Sequence, residues 1–161
     1  MKTFQCQVEE AIHAKIGLLN TFIFANHLHR SKMKQMAKSI IRTSDAPAPI
    51  GPYSQAVKAG NMLFISGQVA IDPATGGLDN ADIRTETNRV MSNLRSVLAE
   101  AGMDFSQVVK TTIFLSDMSL FAEVNEVYAG YLTGDFPARE TVAVKGLPRN
   151  VNVEISMIAM L

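Results

Sequence analysis

Apolar and polar positions alternate most plainly in the last quarter of the chain. Residues 140–144 run Glu140-Thr141-Val142-Ala143-Val144, and residues 151–159 alternate again for almost their whole length. A period of two sends successive side chains to opposite faces, so each run predicts a strand. Gly146, Pro148 and Asn150 stand between them and predict a turn joining the two. On this reading Arg139, Thr141, Ala143 and Lys145 share one face of the first strand. Asn152, Glu154 and Ser156 share one face of the second.

Upstream, residues 57–71 predict a hairpin that turns at Lys58-Ala59-Gly60-Asn61. Ser66 and Gly67 interrupt its second, strongly apolar strand; a glycine there marks a bulge or a close approach to the backbone, and simple packing is the alternative. Asp72 to Gly77 reads as a loop and not a phosphate cradle, because no lysine follows the glycines. Ile83, Thr87, Val90, Met91, Leu94, Val97 and Leu98 keep helical spacing, with Gly102 where a C-terminal cap belongs. The other face of that helix, Arg84, Glu86, Arg89, Arg95 and Glu100, is expected to be solvated. Residues 108–115 predict a strand. Asp117 or Ser119 then caps a second helix whose apolar positions are Leu120, Phe121, Val124, Val127, Tyr128 and Tyr131.

Pro47, Pro49 and Pro52, with Gly51, exclude helix before Tyr53 and predict an extended loop. The plain reading of Tyr53 is a packing aromatic whose hydroxyl finds a backbone partner. The order strand, strand, helix, strand, helix, strand, strand describes an α+β domain, one sheet with both helices on one face. Its other face is left bare, so burial by identical subunits is expected.

Composition narrows the chemistry. A chain of 161 residues, 47% hydrophobic and formally uncharged, is sized for one globular domain. Residues 1–35 carry five Lys or Arg against two Glu, whereas residues 36–161 carry ten against thirteen acidic residues. A net acidic body without a basic stripe argues against nucleic acid as a partner. His13, His27, His29 and Cys6 all fall at the start of the chain, so residues 36–161 hold no Ser-His-Asp triad, no Cys-His pair and no His/Cys zinc site. A single cysteine forms no disulfide within one chain, which fits a reducing compartment and a cytoplasmic location.

Residues 1–35 differ from the rest. Ile12, Ile16, Leu19 and Ile23 keep helical spacing, followed by a basic stretch from His29 to Lys34. Gly17, Asn20 and Thr21 break the apolar run, which is shorter than the roughly 20 residues of a membrane-spanning helix. Glu9 and Glu10 sit where a secretory leader would be basic. The expectation is a weakly ordered appendage, or an over-extended start with initiation near Met33 or Met36; a membrane-surface or partner helix is the alternative. The body is then residues 36–161.

Two side chains stand out for chemistry. Arg139 follows Pro137 at the head of a strand, where it could offer a rigid fork to a ligand carboxylate; an ordinary surface salt bridge is the alternative. Glu154 is a carboxylate within an otherwise apolar strand.

Residues 37–161 resemble the RidA family, also called YjgF. The resemblance rests on Ala48-Pro49-Ile50-Gly51-Pro52-Tyr53-Ser54-Gln55, Ser66-Gly67-Gln68, residues 110–115, Phe121-Ala122-Glu123-Val124-Asn125, Pro137-Ala138-Arg139 and residues 153–159. It implies a chorismate-mutase-like α+β fold, one mixed sheet with two helices on one face, assembled as a homotrimer with clefts between adjacent subunits. It also implies hydrolysis of reactive 2-imino acids, such as 2-iminopropanoate and 2-iminobutanoate, to 2-keto acids and ammonia. In the family this prevents damage by intermediates leaking from pyridoxal-phosphate enzymes.

Carried over by position, Arg139 matches the arginine that holds the substrate carboxylate, and Glu154 the glutamate that orients the attacking water. Tyr53 and Ser66 match residues lining the same cleft, and Asn125 matches a recurrent asparagine of the second helix. No metal, nucleophile or cofactor is implied, since a protonated imine is already electrophilic. Neither nucleic acid nor a membrane is an expected partner of the body. Thr141 departs from the family, many of whose members carry cysteine two residues after the arginine. The alternative function is a non-catalytic module binding small carboxylates such as 2-keto acids. An RNA-cleaving activity sometimes attributed to the family is disfavoured by the acidic body without histidine.

Overall fold

The computed structural model describes residues 38–161; the helix expected around residues 12–23 lies outside the described residues. Six strands form one mixed sheet in the order β1-β2-β3-β6-β4-β5. They are β1 (Lys38–Ile41), β2 (Ala56–Ala59), β3 (Met62–Gln68), β4 (Val108–Leu115), β5 (Ala138–Ala143) and β6 (Val153–Met160). Helix α1 (Ile83–Glu100) joins β3 to β4, and α2 (Phe121–Ala129) joins β4 to β5.

All pairs are antiparallel except β4 with β5. A parallel pair needs a crossover, which α2 supplies. β2 and β3 turn at Gly60 and Asn61, and Gly60 takes φ +62°, a conformation cheap only for glycine. The expected joining of the last two strands is not realised. β5 pairs with β4 alone, at the sheet edge, while β6 lies between β3 and β4. The reason is burial. Val153, Ile155, Met157 and Ala159 of β6 are all 2% exposed or less, the pattern of a central strand, whereas β5 is largely exposed and suits an edge. β1 was not expected from the pattern, and β3 stops at Gln68, three residues short of the expected end.

Asp82 caps α1 by accepting from the Thr85 N–H at 2.7 Å, and Gly102, at φ +71°, follows its end as expected. Asp117 caps a short 3-10 turn (Met118–Leu120) that leads into α2, accepting from Ser119 N–H. Val90, Met91, Leu94, Val97 and Leu98 of α1 pack with Val124 and Tyr128 of α2 against Leu63, Ile65, Ile113, Leu115, Ile155 and Met157 of the sheet. The opposite face carries the cross-strand row Ile40, Val57, Phe64 and Ile158, with Ile40 and Phe64 exposed. Both helices thus cover one face and leave the other uncovered by the described residues. Among the described residues no helix is long and apolar enough to cross a membrane.

Candidate functional site

The proline-rich segment has few donors of its own, and one side chain compensates. Gln55, 2% exposed, donates through Nε2 to the carbonyls of Thr43, Ala46 and Pro47, and its Oε1 accepts from Thr43 N–H. This folds residues 43–53 over the end of β3. Ser66 is tied to the same segment, its hydroxyl donating to the Ser54 carbonyl at 2.7 Å and its N–H to the Gln55 carbonyl at 3.0 Å. Tyr53 is half-exposed, with its hydroxyl accepting from Ile50 N–H at 3.4 Å.

At Ser66 and Gly67 the register between β3 and β6 shifts. The glycine admits the side chain of Glu154 across its backbone: a Cβ on residue 67 would lie 1.9 Å from Glu154 Oε1 and 2.7 Å from its carboxyl carbon. Both expectations for Gly67, a bulge and a close approach, are met by this one contact. The Glu154 carboxyl receives no hydrogen bond from the described residues, and burial pushes its pKa above the ordinary value of 4.5. Tyr53, Ser66, Gly67 and Glu154 line a pocket of about 270 Å³ whose remaining wall is mostly apolar, with Ile50, Val69, Ile71 and Pro148.

Two buried polar groups on α1 hold this pocket from behind. Asn93, 1% exposed, donates to the carbonyls of Val69 and Ile71. Glu86, expected on a solvated face, is instead fully buried: it accepts from Asn152 N–H at 2.5 Å, Asn152 Nδ2 at 2.9 Å and Val153 N–H at 3.2 Å. These bonds anchor the strand two residues before Glu154. The pattern held a signal for both, since 86, 90, 93 and 97 share one helical stripe with buried Val90 and Val97.

Arg139 occupies a different place. It pairs across from Thr111 of β4, which pairs with Met157 of β6, so it projects from the helix-covered face. Glu154 pairs across from Phe114, which pairs with Val142, on the opposite face. The guanidinium carbon lies 5.2 Å from the ring centre of Tyr128 and 5.7 Å from that of Phe121. Arg139 Nη1 donates to Asn125 Oδ1 at 2.7 Å. No carboxylate of the described residues pairs with Arg139, so the salt-bridge alternative is not realised among them. A second pocket, about 400 Å³, is lined by Asn125, Tyr128, Ala129, Phe136, Pro137 and Arg139.

Among the described residues, Tyr53, Ser66 and Glu154 are gathered in one pocket and Arg139 with Asn125 in another. Among the described residues no cluster of three His, Cys, Asp or Glu side chains could hold a metal ion.

Fold and site together define an α+β protein of the chorismate-mutase-like type, with a carboxylate pocket and a guanidinium pocket set on opposite faces of one sheet. The chain belongs to the family described as endoribonuclease L-PSP, the RidA or YjgF family, whose pattern matches residues 43–161. It is 53% identical over 130 residues to Protein DfrA of Myxococcus xanthus, covering 80% of this chain and 99% of that protein. It is 45% identical over 128 residues to the 2-iminobutanoate/2-iminopropanoate deaminase of Mus musculus, covering 80% of this chain and 95% of that protein. The crystal structure of RidA from an Antarctic Psychrobacter species superposes with a TM-score of 0.74 at 40% identity, covering 76% of this chain and 99% of that one.

Proposed function

We propose that this protein hydrolyses small 2-imino acids, such as 2-iminopropanoate and 2-iminobutanoate, to 2-keto acids and ammonia, at sites shared between neighbouring copies of a homotrimer. The observation that carries the reading is the state of Arg139, a guanidinium held by an amide oxygen and two rings with no carboxylate partner among the described residues. A cation kept in this way is suited to an incoming carboxylate. The name of the mouse relative supports the substrate class. In the cytoplasm such an activity would remove reactive imines before they damage other proteins.

In this mechanism Arg139 grips the substrate carboxylate and places the imine carbon in the pocket of Glu154. A protonated imine is already electrophilic, so the protein has to orient water and accept a proton. Glu154 takes a proton from water as the new C–O bond forms, and passes it to nitrogen. The C–N bond then breaks as the Glu154 carboxylate, free again, takes the hydroxyl proton; the carbonyl forms and ammonia leaves. The half-buried position of Glu154 makes it a better base than an exposed carboxylate, by raising its pKa. Tyr53, whose hydroxyl oxygen already accepts from Ile50 N–H, keeps its own proton to donate to the developing charge.

Arg139 and Glu154 project from opposite faces of one sheet, which a substrate of a few carbons does not bridge. On this reading Arg139 and Asn125 of one copy meet Tyr53, Ser66 and Glu154 of the next. The test is release of 2-keto acid and ammonia from 2-iminobutanoate generated in situ, comparing the wild type with Arg139→Ala. Acceleration by the wild type alone is expected. No acceleration by a folded wild-type protein would replace hydrolysis with simple carboxylate binding.

A further inference from the structure

The arginine pocket contains more than a cation and its amide partner. Phe121, Asn125 and Tyr128 stand at positions i, i+4 and i+7 of α2, on one face, and all three contact Arg139. Tyr128 is 3% exposed and donates its hydroxyl to Thr111 Oγ1 at 3.1 Å, inside the core. Thr111 is the residue directly across the strands from Arg139. The contacts close a circuit, from Arg139 through strand pairing to Thr111, through a hydrogen bond to Tyr128, and from the ring back to the guanidinium.

Arg139 needs such a support. It is the second residue of an edge strand, three positions after the exposed Phe136, and a long side chain there carries rotamer freedom that ligand binding would have to remove. A carboxylate partner would also orient it but would compete with an anionic ligand for the fork. Aromatic rings and an amide oxygen orient the cation without supplying a full negative charge.

We propose that Tyr128 and Phe121 are positioning residues that pre-orient the Arg139 guanidinium for a carboxylate ligand, Tyr128 acting from the core and Phe121 from the rim. The inference rests on the carboxylate-binding role of Arg139 given above. Burial pushes the Tyr128 phenol above its ordinary value of 10.0, so the donor to Thr111 stays protonated.

The test is the dissociation constant of 2-oxobutanoate, read by NMR titration, alongside KM and kcat for imine hydrolysis. The variants are Tyr128→Phe, Tyr128→Leu, Phe121→Leu and Arg139→Ala. Tyr128→Leu is expected to weaken binding about three- to tenfold and Phe121→Leu about twofold, the scale of a ring–cation contact. KM rises in parallel while kcat holds, since the contact orients the ground state and the transition state alike. Tyr128→Phe keeps the ring and stays within about twofold of the wild type. Phe121 lies at the surface, so its variant reports even if loss of the core ring prevents folding. If Arg139→Ala abolishes binding while both ring variants bind like the wild type, the support role is overturned and the carboxylate role of Arg139 stands. If Arg139→Ala binds 2-oxobutanoate normally, both are overturned.

Discussion

The carboxyl of Glu154 occupies the space that any side chain on residue 67 would need: an added Cβ would meet Glu154 Oε1 at 1.9 Å and the carboxyl carbon at 2.7 Å. The glycine and the glutamate thus form one unit, with the bulge in β3 supplying the room and β6 the acid.

Gly67→Ala should therefore displace Glu154 while leaving the rest of the core in place. Because a shift of about 1 Å at a reacting group can lower a rate by about a hundredfold, imine hydrolysis should fall by that order. The circular dichroism spectrum should remain that of the wild type. A fully active alanine variant would separate the close approach from the chemistry.

The pH dependence follows from the same burial. Glu154 has a raised pKa, so the carboxylate form required of a base is lost on acidification at a pH above the ordinary 4.5. The acid limb of kcat/KM should lie there and should be missing from the residual activity of Glu154→Gln. For stability the sign is opposite. A group whose folded pKa is raised contributes fully below its unfolded value and loses that contribution as pH rises through its folded value. Glu154→Gln should accordingly gain thermal stability over the wild type at pH 7 and lose that advantage by pH 4. An equal difference at both pH values would remove Glu154 as the source.

The proposed sharing of sites between copies of a trimer predicts complementation. Arg139→Ala and Glu154→Ala should each be inactive alone. After unfolding together and refolding as random mixed trimers, about one site in four should combine an intact Arg139 with an intact Glu154 from the neighbouring copy. Activity near that fraction of the wild type is expected from the mixture, and none would be inconsistent with a site divided between copies.

Glu86 offers a stability test away from the reacting groups. Glu86→Ala leaves Asn152 N–H, Val153 N–H and Asn152 Nδ2 without their acceptor at a fully buried position. A loss of about 3 kcal/mol is expected from urea unfolding at fixed protein concentration, against about 1 kcal/mol for Glu86→Gln, which keeps one oxygen. A loss below about 0.5 kcal/mol for the alanine variant would mean that β6 is anchored by its strand pairing alone.

The amphipathic periods made β5, β6 and α1 legible, because burial on one face leaves a trace in every second or every third and fourth residue. Pairing left no such trace. Placing β6 beside β3 and β4 depends on which faces meet in three dimensions, and the turn-like Gly146-Leu147-Pro148 stretch suggested a local partner instead. β1 is four residues long and mostly exposed, too short to stand out from its polar surroundings. At the site, the resemblance named Tyr53, Ser66, Asn125, Arg139 and Glu154, but not their separation onto two faces. Glu86 escaped because a charged residue was assigned to solvent by its type, although its helical position placed it on the buried stripe.

The walls of the Glu154 pocket are tethered separately, by Gln55 to the proline segment, by Asn93 to Val69 and Ile71, and by Glu86 to the start of β6. None of these tethers passes through the exposed rim residue Ile50 or through Pro148. For directed evolution this separates two kinds of position. Libraries randomised at Ile50 and Pro148 can reshape the mouth of the pocket for bulkier substrates while the buried frame keeps the acid in register, whereas diversity at positions 55, 86 or 93 would be spent mainly on destabilised chains.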